Sequence, residues 1–112
     1  MATDLHQLLH PRAGEMQLVG VLHALSDPVR LEIVRELAAA DEERPCGSFH
    51  VPVTKSTLTH HFRVLRESGL IAQHHDGTSK LTSLRRADLE ARFPGLLDAV
   101  LSAAPEPAQP VA

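Results

Sequence analysis

A chain of 112 residues is the length of one domain, enough for a modest core but in the range where a second subunit often completes it. Phe49, Phe62 and Phe93 are the only aromatic residues, so the core must be built from Leu, Val, Ile and Ala, which suits helices better than a large sheet. A single cysteine excludes an internal disulfide, no run reaches the roughly 20 apolar residues of a membrane helix, and no charged start with an apolar run marks a signal peptide, so a cytoplasmic protein without membrane contact is expected.

In chain order, Leu5, Leu8 and Leu9 share one side of a short amphipathic helix around Thr3 to Leu9 that ends before Pro11. A second helix is expected over about Glu15 to Leu25. Ser26-Asp27-Pro28 then supplies a cap with Pro in the first turn, starting a third helix through Ala39 with Leu31, Val34, Leu37 and Ala38 facing the core. Pro45, Gly47 and Pro52 exclude a long regular helix over Asp41 to Val53, leaving an irregular segment with Phe49, Val51 and Val53 turned inward.

The stretch Thr54 to Lys80, TKSTLTHHFRVLRESGLIAQHHDGTSK, reads as a capped helix, a Gly stop and a hairpin. Thr54 or Ser56 caps the first turn, and Leu58, His61, Phe62 and Leu65 recur on one helical face. Lys55, Ser56, Thr59, His60, Arg63 and Arg66 fall on the other side. These are hydrogen-bonding and cationic groups of the kind that address base edges in a major groove wide enough for a helix, beside a helix N-terminus that favours phosphate. Gly69 stands at the C-cap, and Leu70 to His74 and Ser79 to Leu84 are two extended runs around the turn dipeptide Asp76-Gly77. The projecting tip brings His75, Thr78 and Lys80 within reach of sugar-phosphate or a minor groove.

Beyond the hairpin, Leu89, Phe93, Leu96, Leu97, Val100 and Leu101 form an apolar helical stripe that Pro94-Gly95 kinks or divides in two. Residues 1–102 are expected to be one domain. Residues 103–112, AAPEPAQPVA, with three prolines in ten residues, are expected to form a disordered tail.

Net charge is −3, which alone argues weakly against nucleic acid, but its distribution reverses the argument. Residues 54–86 hold six Lys and Arg against Glu67 and Asp76, a net +4 before any of their four histidines protonates, and the remainder is therefore −7. A basic reader on an acidic body suits a DNA-binding protein.

The run STLTHHFRVLRESGLI with its following DG hairpin resembles the recognition helix and wing of ArsR-type bacterial transcription regulators. LHALSDPVRLEIVREL, Leu22 to Leu37, resembles the opening segment of the same family, and the likeness extends from about Leu18 to Leu101. It implies a mainly α winged helix-turn-helix with a small β-hairpin wing. It also implies a homodimeric repressor of double-stranded DNA on a pseudo-palindromic operator, because paired reader helices read both half-sites. The DNA contacts it assigns are Lys55, Ser56, Thr57, Thr59, His60 and Arg63 on the helix, and His75, Thr78 and Lys80 on the wing. Terminal helices form the family's dimer, so Leu5, Leu8, Leu9 and Leu18 with Leu97, Val100 and Leu101 would be the seam; the competing reading is that they only close the monomer core. Many members place the first helix of the helix-turn-helix where Asp41 to Val53 lies, and there this chain departs from the pattern.

The family includes many metal sensors, but their ligands are mostly missing here. Cys46-Gly47-Ser48 offers one sulfur where sensors often have a Cys-x-Cys pair, and the C-terminal stripe has Asp88, Glu90 and Asp98 without a histidine. His6 and His10 at i, i+4 are the remaining pair, beside the simpler reading of a solvated helix; no metal and no cofactor is expected. Of His60 and His61, about 100° apart on a helix, one reads and one packs. Cys46 leaves a thiol-responsive regulator as one alternative, and a winged-helix module that docks an acidic protein surface as another. No Ser-His-Asp spacing, phosphate loop or paired thiols suggests an enzyme. The inducer is not legible.

Overall fold

The computed structural model describes residues 9–103. All of the expected helix at Thr3 to Leu9 except Leu9, and with it Leu5, Leu8 and His6, lies outside the described residues, as does the tail beyond Ala103; Leu9 itself is not helical. Among the described residues, five α-helices and a three-stranded antiparallel sheet make a winged helix-turn-helix fold, in the order α1 (Leu18–Leu25), α2 (Pro28–Ala40), β1 (Arg44–Pro45), α3 (Lys55–Ser68), β2 (Ile71–Asp76), β3 (Ser79–Leu84), α4 (Arg86–Arg92) and α5 (Leu96–Ala103).

The second expected helix begins later than the sequence suggests. Ala13–Glu15 is a separate 3-10 turn, and Met16 and Gln17 are extended before α1 starts. Met16 is nevertheless almost fully buried, which explains why an apolar residue there mimics the start of a helical stripe. The cap of α2 forms as the sequence implies: the Asp27 carboxylate accepts from the backbone N–H groups of Val29 (2.8 Å) and Arg30 (3.2 Å), with Pro28 in the first turn. Val34 and Leu37 are buried, whereas Leu31 and Ala38 are half-buried; the face is completed instead by Ile33 and, unexpectedly, Arg30.

Between α2 and α3 no residue is α-helical. The segment contains only β1 and a 3-10 turn, Cys46–Ser48, so the irregular element expected from Pro45, Gly47 and Pro52 is present. Phe49 is buried edge-on against Phe62 at 5.5 Å, with Val51 and Val53 half-buried. Sequence reasoning missed β1, which is too short to show an alternating pattern. It pairs with β3 (Arg44 with Thr82, Pro45 with Leu81), making β3 the central strand in the order β1-β3-β2.

The α3 helix ends in a Schellman arrangement: Gly69 N–H bonds to the Arg66 carbonyl and Leu70 N–H to the Leu65 carbonyl, both at 3.1 Å. Gly69 takes φ +93, and a Cβ there would lie 2.5 Å from Met16 Cε, so both conformation and space require glycine. Met16 thereby joins the segment before α1 to the end of α3. The strands of the wing extend to Asp76 and Ser79, which pair with each other. The two-residue loop is thus Gly77-Thr78, one residue later than the Asp76-Gly77 turn expected, with Gly77 at φ +63 where the first position of a II′-type hairpin loop favours Gly. Pro94-Gly95 divides the C-terminal stripe into α4 and α5.

Candidate nucleic-acid interface

The side chains beneath α3 lock it to the body. Phe62 and Leu65 enter the core with Val21, Ala24, Ile33 and Val34. His61 is only 7 % exposed and meets Arg30 Nη1 at 3.0 Å through its Nδ1. A guanidinium can only donate, so Nδ1 is bare and the neutral ring carries its proton on Nε2, which lies 4.0 Å from Asp27 Oδ1. Burial holds the His61 pKa below its ordinary value; Arg30 and His60 push the same way and Asp27 opposes them. Burial alone would raise the Asp27 pKa, but the N–H groups of Arg30 and Val29, then His61 and the Arg30 guanidinium, bring it below the usual carboxylate range. Arg30 also donates from Nε to the Ala24 carbonyl at 2.7 Å. One buried guanidinium thus ties the end of α1, the start of α2 and the underside of α3. Sequence reasoning placed His61 beneath the helix but missed Arg30, whose charge marks it as a surface residue.

With that underside fixed, Lys55, Ser56, Thr57, Thr59, His60 and Arg63 all stand exposed along α3. The run KSTLTHHFR from Lys55 to Arg63 contains no acidic residue. Thr54 caps the helix, its Oγ1 accepting from Thr57 N–H at 3.3 Å, and Thr59 donates its hydroxyl to the Lys55 carbonyl at 3.0 Å, leaving its oxygen free to accept. Neither Lys55 nor Arg63 forms an ion pair with a described residue.

On the wing, opposed residues on neighbouring strands share a face, and Gln73 pairs with Thr82 while His75 pairs with Lys80. Gln73 and Thr82 are buried toward α3, so His75 and Lys80 lie on that same side nearer the tip, with Thr78 exposed in the loop. His74, on the opposite face, pairs with Glu43 at 3.1 Å. Gln73 is a hub. Its Oε1 accepts from Arg66 Nη1 (2.7 Å), its Nε2 donates to Thr82 Oγ1 and Cys46 Sγ (both 3.1 Å), and its backbone N–H donates to His10 Nε2 (2.9 Å). The network fixes the wing relative to the reader helix. It also occupies His10 and Cys46 in structural contacts that sequence reasoning did not foresee. Arg85 and Arg86 are engaged as well, Arg85 with Asp88 (3.0 Å) and the Pro11 carbonyl (2.7 Å), and Arg86 with the Ala38 carbonyl (3.1 Å). The cations left facing solvent near α3 and the wing are chiefly Lys55, Arg63 and Lys80.

A helix-turn-helix domain model matches residues 25–74, from the end of α1 through the reader helix into β2. Over 80 residues the chain is 38 % identical to the uncharacterized HTH-type transcriptional regulator YceK of Bacillus subtilis, covering 70 % of this chain and 80 % of that protein. The chain belongs to the helix-turn-helix transcriptional regulators. Solved structures agree. The transcriptional repressor BigR from Xylella fastidiosa superposes with a TM-score of 0.60 at 26 % identity, over 80 % of this chain and 88 % of that one. A possible transcriptional regulator for arsenical resistance gives 0.57 at 27 %, over 80 % and 100 %. An ArsR family transcriptional regulator at 18 % identity gives 0.61, over 87 % and 100 %, and shares the fold. ArsR-type proteins are transcription regulators rather than a class of enzymes. No described helix is long and apolar enough to cross a membrane, and no group of three or more His, Cys, Asp or Glu among the described residues is placed to hold a metal ion.

The expected seam residues divide in an informative way. Leu9 and Leu18 are exposed, at 78 % and 45 %, and Val19 and Leu22, which sequence reasoning left out, are exposed beside Leu18 on α1. Leu97 is buried in the chain's own core, with Val100 and Leu101 half-buried against it, so Leu97 has little surface to offer a partner.

Proposed function

We propose that this helix-turn-helix regulator is a cytoplasmic homodimer of the ArsR type that binds a pseudo-palindromic operator in double-stranded DNA and represses transcription, with neither catalytic residues nor a cofactor. The observation that carries this reading is the outer ridge of α3. Its polar and cationic residues stand in solvent on a helix whose underside is locked by Arg30, His61 and Phe62. In the major groove, Lys55, Ser56, Thr57, Thr59, His60 and Arg63 supply base-edge and phosphate contacts, and the helix N-terminus favours a phosphate. His75, Thr78 and Lys80 extend the contact along the flanking backbone. Residues 1–102 then form the DNA-binding and dimerisation domain, with residues 103–112 a tail outside it.

Dimerisation rests on the outer face of α1. Leu18, Val19 and Leu22 present a contiguous apolar surface in a single chain, which a second copy would cover. Repression is read from the likeness to BigR, a transcriptional repressor.

The test is fluorescence anisotropy with a labelled duplex taken from upstream of the protein's own gene, in competition with unrelated duplex. Tight binding that resists the competitor and weakens on Arg63→Ala is expected. Equal affinity for both duplexes, or no binding, would overturn the reading.

A further inference from the structure

We propose that the cleft between α3 and the wing is a binding site for a small organic anion with a flat apolar body, and that its occupant releases the protein from DNA. The proposal rests on the DNA-binding reading above and assigns the regulation of that same surface. The cleft has a volume of about 340 Å³, within the range of small-molecule sites. Leu58 and Phe62 form its apolar wall, and Lys55, Arg63, Arg66 and Lys80 bring four cations to it. No carboxylate lines it.

Its depth is polar as well. Gln73, 3 % exposed, and the Cys46 sulfur close the floor through the network that includes Thr82. Arg66 reaches Gln73 Oε1 with one terminal nitrogen (2.7 Å), which holds its guanidinium beside the cleft. The irregular segment before α3 supplies only Cys46 and Gly47 to this wall, which leaves the half-buried Leu58 uncovered. Unbalanced cations select an anion, and the apolar wall selects a flat ring over inorganic phosphate.

Lys55, Thr59 and Arg63 belong both to the cleft and to the proposed DNA ridge. An anion held there neutralises cations that phosphate requires and obstructs the groove face of α3. Ligand and operator must then weaken each other by the same factor.

The probe is naphthalene-2-sulfonate, titrated into the full chain and followed by amide chemical shifts, with neutral naphthalene-2-sulfonamide as control. Saturable shifts at Gly47, Leu58, Gln73 and Lys80 are expected, with binding about tenfold weaker for the sulfonamide, as a few partly exposed ion pairs allow. The sulfonate should also displace a bound duplex. A Cβ on Gly47 meets nothing within 4 Å, so Gly47→Leu should keep the fold and the affinity for DNA while losing the shifts. Shifts confined to α1, equal binding of the neutral analogue, or sulfonate binding that leaves duplex affinity unchanged would each overturn the proposal. Cleft binding in a protein that ignores duplex DNA would remove the regulatory half and the DNA-binding reading together, leaving an anion site.

Discussion

The outer faces of α3 and α1 are both open to solvent and chemically opposite. From Lys55 to Arg63 the exposed side of α3 carries hydroxyls, an imidazole and two cations without one acid, whereas α1 exposes Leu18, Val19 and Leu22. The polar face is stable in water and gains from a polyanion. The apolar face costs free energy while uncovered and gains from another apolar surface. Exposure makes both candidate interfaces, and their chemistry is the ground for proposing DNA on one and a second subunit on the other.

The largest effect is expected where the apolar face is made charged. Val19→Glu with Leu22→Glu should leave a folded monomer by sedimentation, and operator affinity should fall about 10²- to 10⁴-fold as the two half-sites cease to be bound together. A double variant that remains dimeric would separate α1 from the seam. Next comes the joint between the two regions. Gly69→Ala forces a side chain into φ +93 and against Met16, and should cost about 1–3 kcal/mol in denaturant unfolding. An unchanged midpoint would mean that α1 and α3 are not coupled through Met16.

Single changes on the polar ridge are smaller and should leave assembly untouched. Arg63→Ala should weaken operator binding by about 1–3 kcal/mol if the guanidinium reads a base, and Lys55→Ala should lower the salt slope by about one if the ammonium meets a phosphate. Equal binding and an equal slope in both variants would move the DNA contact elsewhere.

The smallest effect concerns pH. In the unfolded chain His61 titrates near 6.5, and in the fold its pKa is lower. The unfolded state therefore binds the extra proton first, so this contribution to stability is complete above pH 6.5 and is lost as pH falls through the folded value. Protonation at Nδ1 would set a proton against the Arg30 donor. Urea midpoints at pH 7.5 and 5.5 should show the loss, and His61→Gln, which keeps an acceptor for Arg30, should show less of it; equal losses would assign the effect to other histidines.

Much of the reader was legible because α3 and the wing obey local rules. The Thr54 cap, the Gly69 stop and the 3, 4, 7 spacing of buried residues are each set within a few positions. Elsewhere tertiary contacts decided. Arg30 is buried because two backbone carbonyls and a histidine ring await it, β1 exists only because β3 pairs with it, and Met16 is extended because it must reach Gly69. Along the helical stripe Leu97 is buried within the chain while Val100 and Leu101 are half-buried, and periodicity alone cannot tell a core within the chain from an interface between chains. Val19 and Leu22 carried no local signal beyond being apolar.

The most direct test maps amide shifts and hydrogen exchange on the protein bound to a duplex enriched from a random pool. The expected result is protection concentrated on α3 from Lys55 to Arg63 and on the wing from His75 to Lys80, with an enriched sequence whose half-sites lie about 34–36 Å apart. Protection confined to α1 or to the acidic body, with α3 unchanged, would contradict it.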